Sequence, residues 1–220
     1  MKIPPSRLEA HRGASGAYPE NTMLAFAKAR EAGALSIETD LSLLADGGFA
    51  VFHDSALGRT VAGNASLDSL TSAEIGTMDA GAWRARQFAG ETVPLLEDLL
   101  HWQGEAASAL AARLAGVQPG LNMVSSFDAA FLAALQTTLP AMPRALISEE
   151  LPEDWQELAA MLGLEALHLD KDIVTPGMVE AIHSAGLRVR VWTVNEPADM
   201  KRMIDAGIDT VITDVPEAFL

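Results

Sequence analysis

Histidine and acid recur together near the start of this chain: His11-Arg12-Gly13, then Glu38-Thr39-Asp40, then His53-Asp54. Each group stands where an apolar, strand-like run gives way to loop residues. Two imidazoles can carry protons near neutral pH, a guanidinium can grip an anion, and adjacent carboxylates suit a hard cation. Together these types suit metal-assisted cleavage of a phosphate ester. A plain structural domain has little reason to carry the set.

The elements that must position these groups alternate between short strands and amphipathic helices. Strand-like runs cover Leu8–His11, Leu35–Leu41, Phe49–His53, Leu121–Ser125, Arg144–Ser148, Ala166–Leu169, Arg188–Thr193 and Thr210–Thr213. Helical periodicity covers Met23–Ala32, Asp128–Thr138, Asp154–Leu162, Pro176–Ala185 and Pro197–Ala206, with polar or proline starts. Strand-helix alternation argues for a parallel α/β fold, and its spacing favours a TIM (β/α)8-type barrel. The expected organisation is one domain over 1–220.

Composition bounds the function. At 220 residues the chain can bury one sizeable core. It has no cysteine, which excludes disulfides and thiolate metal sites. A formal charge of −15 repels nucleic-acid backbones and anionic membranes, so neither a nucleic-acid partner nor stable membrane insertion is expected. No apolar run approaches the ~20 residues of a membrane span. The start Met-Lys-Ile-Pro-Pro-Ser-Arg lacks an apolar signal core, and a cytoplasmic location is the expectation.

One connection breaks the alternation. Ala45-Asp46-Gly47-Gly48 is too short for a crossover helix and rich in turn residues, which predicts an antiparallel β-hairpin at strand 2. A turn centred there sets Leu44 opposite Phe49 and Asp40 opposite His53. Residues 54–92 are turn-rich and weakly periodic, and read as a small insertion at the barrel mouth. Catalytic groups of such barrels sit at the C-terminal strand ends.

The ordered motifs resemble those of the glycerophosphodiester phosphodiesterases. They are His11-Arg12-Gly13, Pro19-Glu20-Asn21-Thr22 with Ala25-Phe26, Glu38-Thr39-Asp40, Asp46-Gly47, His53-Asp54, Leu57-Gly58-Arg59-Thr60 and Val93-Pro94-Leu95-Leu96-Glu97. Ser125-Ser126-Phe127-Asp128, Val191-Trp192-Thr193-Val194-Asn195 and Thr213-Asp214 continue the series over nearly the whole chain.

That resemblance implies hydrolysis of small glycerophosphodiesters to glycerol 3-phosphate and an alcohol. It implies His11 and His53 as the acid–base pair, and Arg12 as the phosphate-binding residue. Glu38 and Asp40 would hold a divalent cation, Mg2+ or Ca2+; as residues i and i+2 of one strand they would share a face. Trp192 matches an aromatic near the glycerol end, or packs the barrel mouth. His101, His168 and His183 have no motif context and read as surface or packing residues. Asn21 reads as a helix-start cap beside Thr22.

One departure stands against the match. The family carries a strand with an Asn-Ile-Glu-Ile-Lys-like run, whose glutamate is a third metal ligand and whose lysine contacts phosphate. This sequence has no Glu-x-Lys, and passes from Glu105 directly into an alanine-rich, helical-looking run. With Phe49–His53 as the hairpin's return strand, seven staves remain, one short of eight: either a strand after Glu105 has been lost, or the sequence omits residues at the Glu105–Ala106 junction, which the cost of unpaired strand edges favours. The alternative reading is therefore a catalytically impaired, phosphodiester-binding barrel.

Overall fold

Alternation of β-branched strands with capped helices produces nine strands among the described residues: β1 (Leu8–His11), β2 (Ser36–Glu38), β3 (Leu41–Leu43), β4 (Phe49–Val51), β5 (Val124–Ser126), β6 (Arg144–Ser148), β7 (Ala166–Asp170), β8 (Arg188–Trp192) and β9 (Thr210–Thr213). The structure is a computed structural model and describes residues 1–99, 101, 123–138 and 140–220. Seven strands form one sheet in the order β2-β1-β9-β8-β7-β6-β5, and β3 pairs with β4 as a separate hairpin. The fold is thus α/β, with seven strands of the main sheet among the described residues. The strand expected to be missing after Glu105 lies outside the described residues.

The chain divides into two compact units. One comprises the described residues of 1–9 and 120–213, where β5 to β9 run parallel, each to its neighbour. Helices α3 (Ala129–Thr138), α4 (Trp155–Leu162), α5 (Pro176–Ser184) and α6 (Pro197–Asp205) connect them. Thr175 caps α5 by accepting from the Met178 amide, and Pro176 follows where the missing amide hydrogen costs nothing. Leu167, Leu169, Val189, Val191, Met200 and Met203 are buried within this unit. So is His168, whose ring is driven down to a pKa of about 3 by burial and then by Arg190 and Arg188. The packing role expected of it is what the structure shows; His183 is exposed and meets Asp209 at 2.9 Å.

The other unit comprises the described residues of 10–119 and 214–220. It holds α1 (Met23–Glu31), α2 (Ser72–Ile75), α7 (Pro216–Phe219) and the hairpin. Leu44, Ala50, Phe52 and Val93 pack with Val61, Leu67, Ile75 and Ala80 into a local core. Residues 54–92 are thereby held to the hairpin by apolar burial, despite few ladder bonds. No described helix is long and apolar enough to cross a membrane.

The hairpin register differs from expectation by one residue. Leu41 lies opposite Val51 and Leu43 opposite Phe49; Asp40 accepts from the Phe52 amide, so it does not face His53. The cause is an odd loop. Leu44 donates to Gly48, closing the three residues Ala45-Asp46-Gly47, with Gly47 at φ +83°. A three-residue loop ending in a left-handed glycine shifts the pairing relative to a centred four-residue turn. Asp46 locks it by accepting from the amides of Gly48 and Ser72.

Candidate active site

The end of β1 builds the centre of the site. His11 is its last residue, and Arg12 follows at φ +55°, a conformation a non-glycine residue adopts only under constraint. The constraint is visible: the Arg12 amide donates to the Glu38 carbonyl at 2.8 Å, and its carbonyl accepts from the Asn21 amide at 3.1 Å. Gly13 then passes so close to α1 that a Cβ would lie 2.6 Å from the Ala25 carbonyl carbon. Backbone geometry here is set by three converging segments, and it fixes where the His11 and Arg12 side chains emerge.

His11 Nδ1 lies 2.6 Å from Asp214 Oδ1, and Nε2 lies 3.8 Å from Glu38 Oε2. Ser15 Oγ also donates to Asp214 Oδ1 at 3.0 Å. With Nδ1–H donated to the aspartate, Nε2 is the atom available for proton exchange. Burial works to lower the His11 pKa, but the Asp214 hydrogen bond and the Glu38 charge outweigh it, and the net shift is upward from 6.5.

Arg12 is held on two sides. Its NH1 donates to Glu20 Oε1 at 2.8 Å. Its Nε stands 3.0 Å from Asp40 Oδ2 but is poorly aimed, making an ion pair without a well-angled hydrogen bond. The Asn21 amide donates to the same Asp40 oxygen at 2.9 Å and accepts from Thr39 Oγ1 at 2.8 Å. The helix cap is Thr22 alone, which accepts from the Ala25 amide. Asn21, at φ +55°, is turned instead toward Asp40; a tertiary carboxylate has won it from the helix.

Glu38 and Asp40 do not share one continuous strand. β2 ends at Glu38, because the chain leaves the sheet to enter the hairpin, where Asp40 binds Phe52. The two carboxylates nevertheless attach to adjacent residues, Glu38 beside His11 and Asp40 beside Arg12. As hard oxygen donors they suit Mg2+ or Ca2+, with water completing the shell. Among the described residues, no group of three His, Cys, Asp or Glu side chains is placed to hold a metal. The pair fits as part of a ligand set.

His53 joins through a chain of charges. Its Nδ1 lies 2.7 Å from Asp54 Oδ1, and Arg59 Nε donates to Asp54 Oδ2 at 2.7 Å. Burial would raise the Asp54 pKa, but Arg59 and His53 hold it below the usual carboxylate value. Arg59 then forks onto Glu20, NH1 to Oε2 at 2.7 Å and NH2 to Oε1 at 2.8 Å. Glu20, Asn21 and His53 also line a small recess with Phe52, Thr60 and Val93.

Trp192 belongs to the other unit. It ends β8, donates from Nε1 to the His168 carbonyl at 3.2 Å, and meets Phe127 edge-on at 5.9 Å. Asp214, Glu20 and Arg59 are partners that the residue-by-residue reading left without roles. All three lie within the motifs, but the Asp214–His11 and Arg59–Glu20 contacts span 203 and 39 positions, beyond any local periodicity, and Glu20 meets Arg12 across an irregular stretch.

Comparison with known proteins matches two stretches, residues 11–112 and 106–218, to the glycerophosphoryl diester phosphodiesterase family. A glycerophosphodiester phosphodiesterase of Caldanaerobacter subterraneus is 32% identical, covering 96% of this chain and 95% of its own. That alignment runs over 231 positions against a chain of 220, so the relative carries residues with no counterpart here. An Oleispira antarctica phosphodiesterase, solved in complex with the product sn-glycerol-3-phosphate, superposes with a TM-score of 0.85 at 28% identity. It is covered over 94% of its length by 96% of this chain. A glycerophosphodiester phosphodiesterase of Agrobacterium tumefaciens gives 0.80 at 28% identity, with 97% of this chain and 98% of that one covered.

Proposed function

Because the chain belongs to the glycerophosphoryl diester phosphodiesterase family, we propose that it hydrolyses water-soluble glycerophosphodiesters to glycerol 3-phosphate and an alcohol. The sheet is then that of a (β/α)8-type barrel, and the setting is cytoplasmic. The observation that carries the reading is the His11–Asp214 pair beside Arg12, at a strand end that also gathers Glu38 and Asp40.

Each residue has a distinct task. Arg12 binds the phosphodiester anion through the guanidinium N–H groups that its contacts with Glu20 and Asp40 leave open. His11, whose pKa the Asp214 bond and the Glu38 charge shift upward against its burial, acts in its protonated form and delivers the Nε2 proton to the departing alcohol oxygen as the P–O bond breaks. Asp214 holds the ring in that orientation and stabilises its charged form. His53 takes the proton from the attacking oxygen, so that one proton leaves water and one enters the alcohol. Glu38 and Asp40 would hold a divalent cation, which when bound neutralises charge on the phosphoryl oxygens.

The test is glycerol 3-phosphate release from glycerophosphoethanolamine with Mg2+ or Ca2+, with a chelator, and with His11→Ala. Metal-dependent release that the substitution abolishes is expected. No release from folded, metal-supplemented protein would overturn the enzyme reading and favour the phosphodiester-binding barrel that the missing Glu-x-Lys suggests.

A further inference from the structure

We propose that Glu20 is a positioning residue that couples the phosphate-binding and proton-transfer halves of the site. Its carboxylate is shared by Arg12 and Arg59, and through Arg59 and Asp54 it fixes the His53 ring. The inference rests on the phosphodiesterase reading above and assigns a role to residues that reading leaves unused.

The geometry is a chain of alternating charge: Asp40, Arg12, Glu20, Arg59, Asp54, His53. Every link is between 2.7 and 3.0 Å, from the Arg12–Asp40 ion pair to the His53–Asp54 contact. Glu20 sits at its centre and is its least exposed carboxylate, 13% against 24% for Asp40 and 25% for Asp54. Burial alone would raise its pKa; the two guanidinium groups reverse that, and it stays ionised. An ionised carboxylate accepting three guanidinium bonds in this setting is a rigid joint.

His53 is where rigidity is needed. Its side chain is 45% exposed, and its Nδ1 is held by Asp54 at 2.7 Å. An exposed imidazole held by one contact keeps a fixed ring only if that contact is itself fixed. Arg59 supplies this by gripping both Asp54 oxygens, Nε to Oδ2 at 2.7 Å and NH2 to Oδ1 at 3.1 Å. Arg59 is in turn 44% exposed, and Glu20 is its anchor to the buried side. Removing the Glu20 charge therefore loosens both ends: Arg12 loses one of its two carboxylates, and His53 loses the support behind Asp54.

The experiment compares wild type, Glu20→Gln and Arg59→Lys by kinetics on glycerophosphoethanolamine and by 15N NMR of the histidine rings. Glutamine keeps the shape and one acceptor; lysine keeps the charge but loses the fork. Each variant is expected to lower kcat/KM roughly ten-fold, with KM raised in Glu20→Gln through Arg12. Each should also shift the His53 ring nitrogens toward a mixture of tautomers, leaving His11 unchanged. In a His53→Ala background, Glu20→Gln should lower kcat by less than it does in wild type.

Wild-type kinetics with unchanged His53 signals in both variants would overturn the proposal. So would activity lost only in proportion to folded protein. A wild type that fails to cleave the diester would sink the functional reading alone; the His53 nitrogen signals would still decide whether Glu20 positions that ring.

Discussion

Replacing Asp214 by asparagine removes one charge from the His11 pair and leaves its shape. The bond is short, 2.6 Å, and both side chains are partly buried, 18% and 29% exposed. Hydrogen bonds to charged groups are worth about 1.5–3 kcal/mol. If that stabilisation is present while His11 carries its proton, its loss lowers kcat/KM by about 10- to 150-fold. The amide can also turn its NH2 toward Nδ1 and favour the wrong tautomer, which adds to the loss. The sign with pH follows from the direction of the shift. Asp214 helps to raise the His11 pKa above 6.5, so the variant's pKa falls. The activity deficit should therefore widen toward alkaline pH and narrow as pH is lowered. Stability follows the same linkage: the pair's contribution is full below pH 6.5 and fades as pH rises through the folded-state pKa. Steady-state assays of glycerol 3-phosphate release between pH 5.5 and 9 read the first effect. A variant with wild-type kcat/KM and an unmoved pH profile would refute the role assigned to Asp214.

Gly13→Ala meets both a left-handed backbone at φ +84° and a 2.6 Å approach to Ala25, and should destabilise the fold by about 2–5 kcal/mol; an unchanged melting temperature would contradict that packing. Glu20 and Asp54 have folded-state pKa values below 4.5 and 3.8, so the stability they contribute is present above those values and is lost as pH falls through the lowered ones. Acid titration of Glu20→Gln by circular dichroism should show a shallower decline than wild type below pH 4.5. His168 is buried with Nε2 unpartnered among the described groups, so His168→Leu should be neutral or raise the melting temperature. A clear fall would show that a water or another group satisfies that nitrogen.

Much of this was legible in the sequence because period and caps are local properties. The Thr175-Pro176 start and the strand runs at Arg144, Ala166, Arg188 and Thr210 follow from patterning within a few residues. His11, Arg12, Glu38 and Asp40 come together as their motifs suggest. What failed was decided elsewhere in the chain. The hairpin slipped one register because Gly47 closes a three-residue loop that a four-residue cluster of turn formers conceals. Asn21 looked like a cap because it precedes a helix, yet Asp40 is its partner. Asp214, next to the C-terminus, meets His11 only through the folded topology. No spacing rule reaches that far.

The most direct measurement follows glycerophosphoethanolamine by 31P NMR in the presence of the protein and Mg2+ or Ca2+. The assigned reaction replaces the diester resonance by that of glycerol 3-phosphate, with free ethanolamine as the other product. Persistence of the diester, or the appearance of phosphoethanolamine from cleavage on the glycerol side, would contradict it.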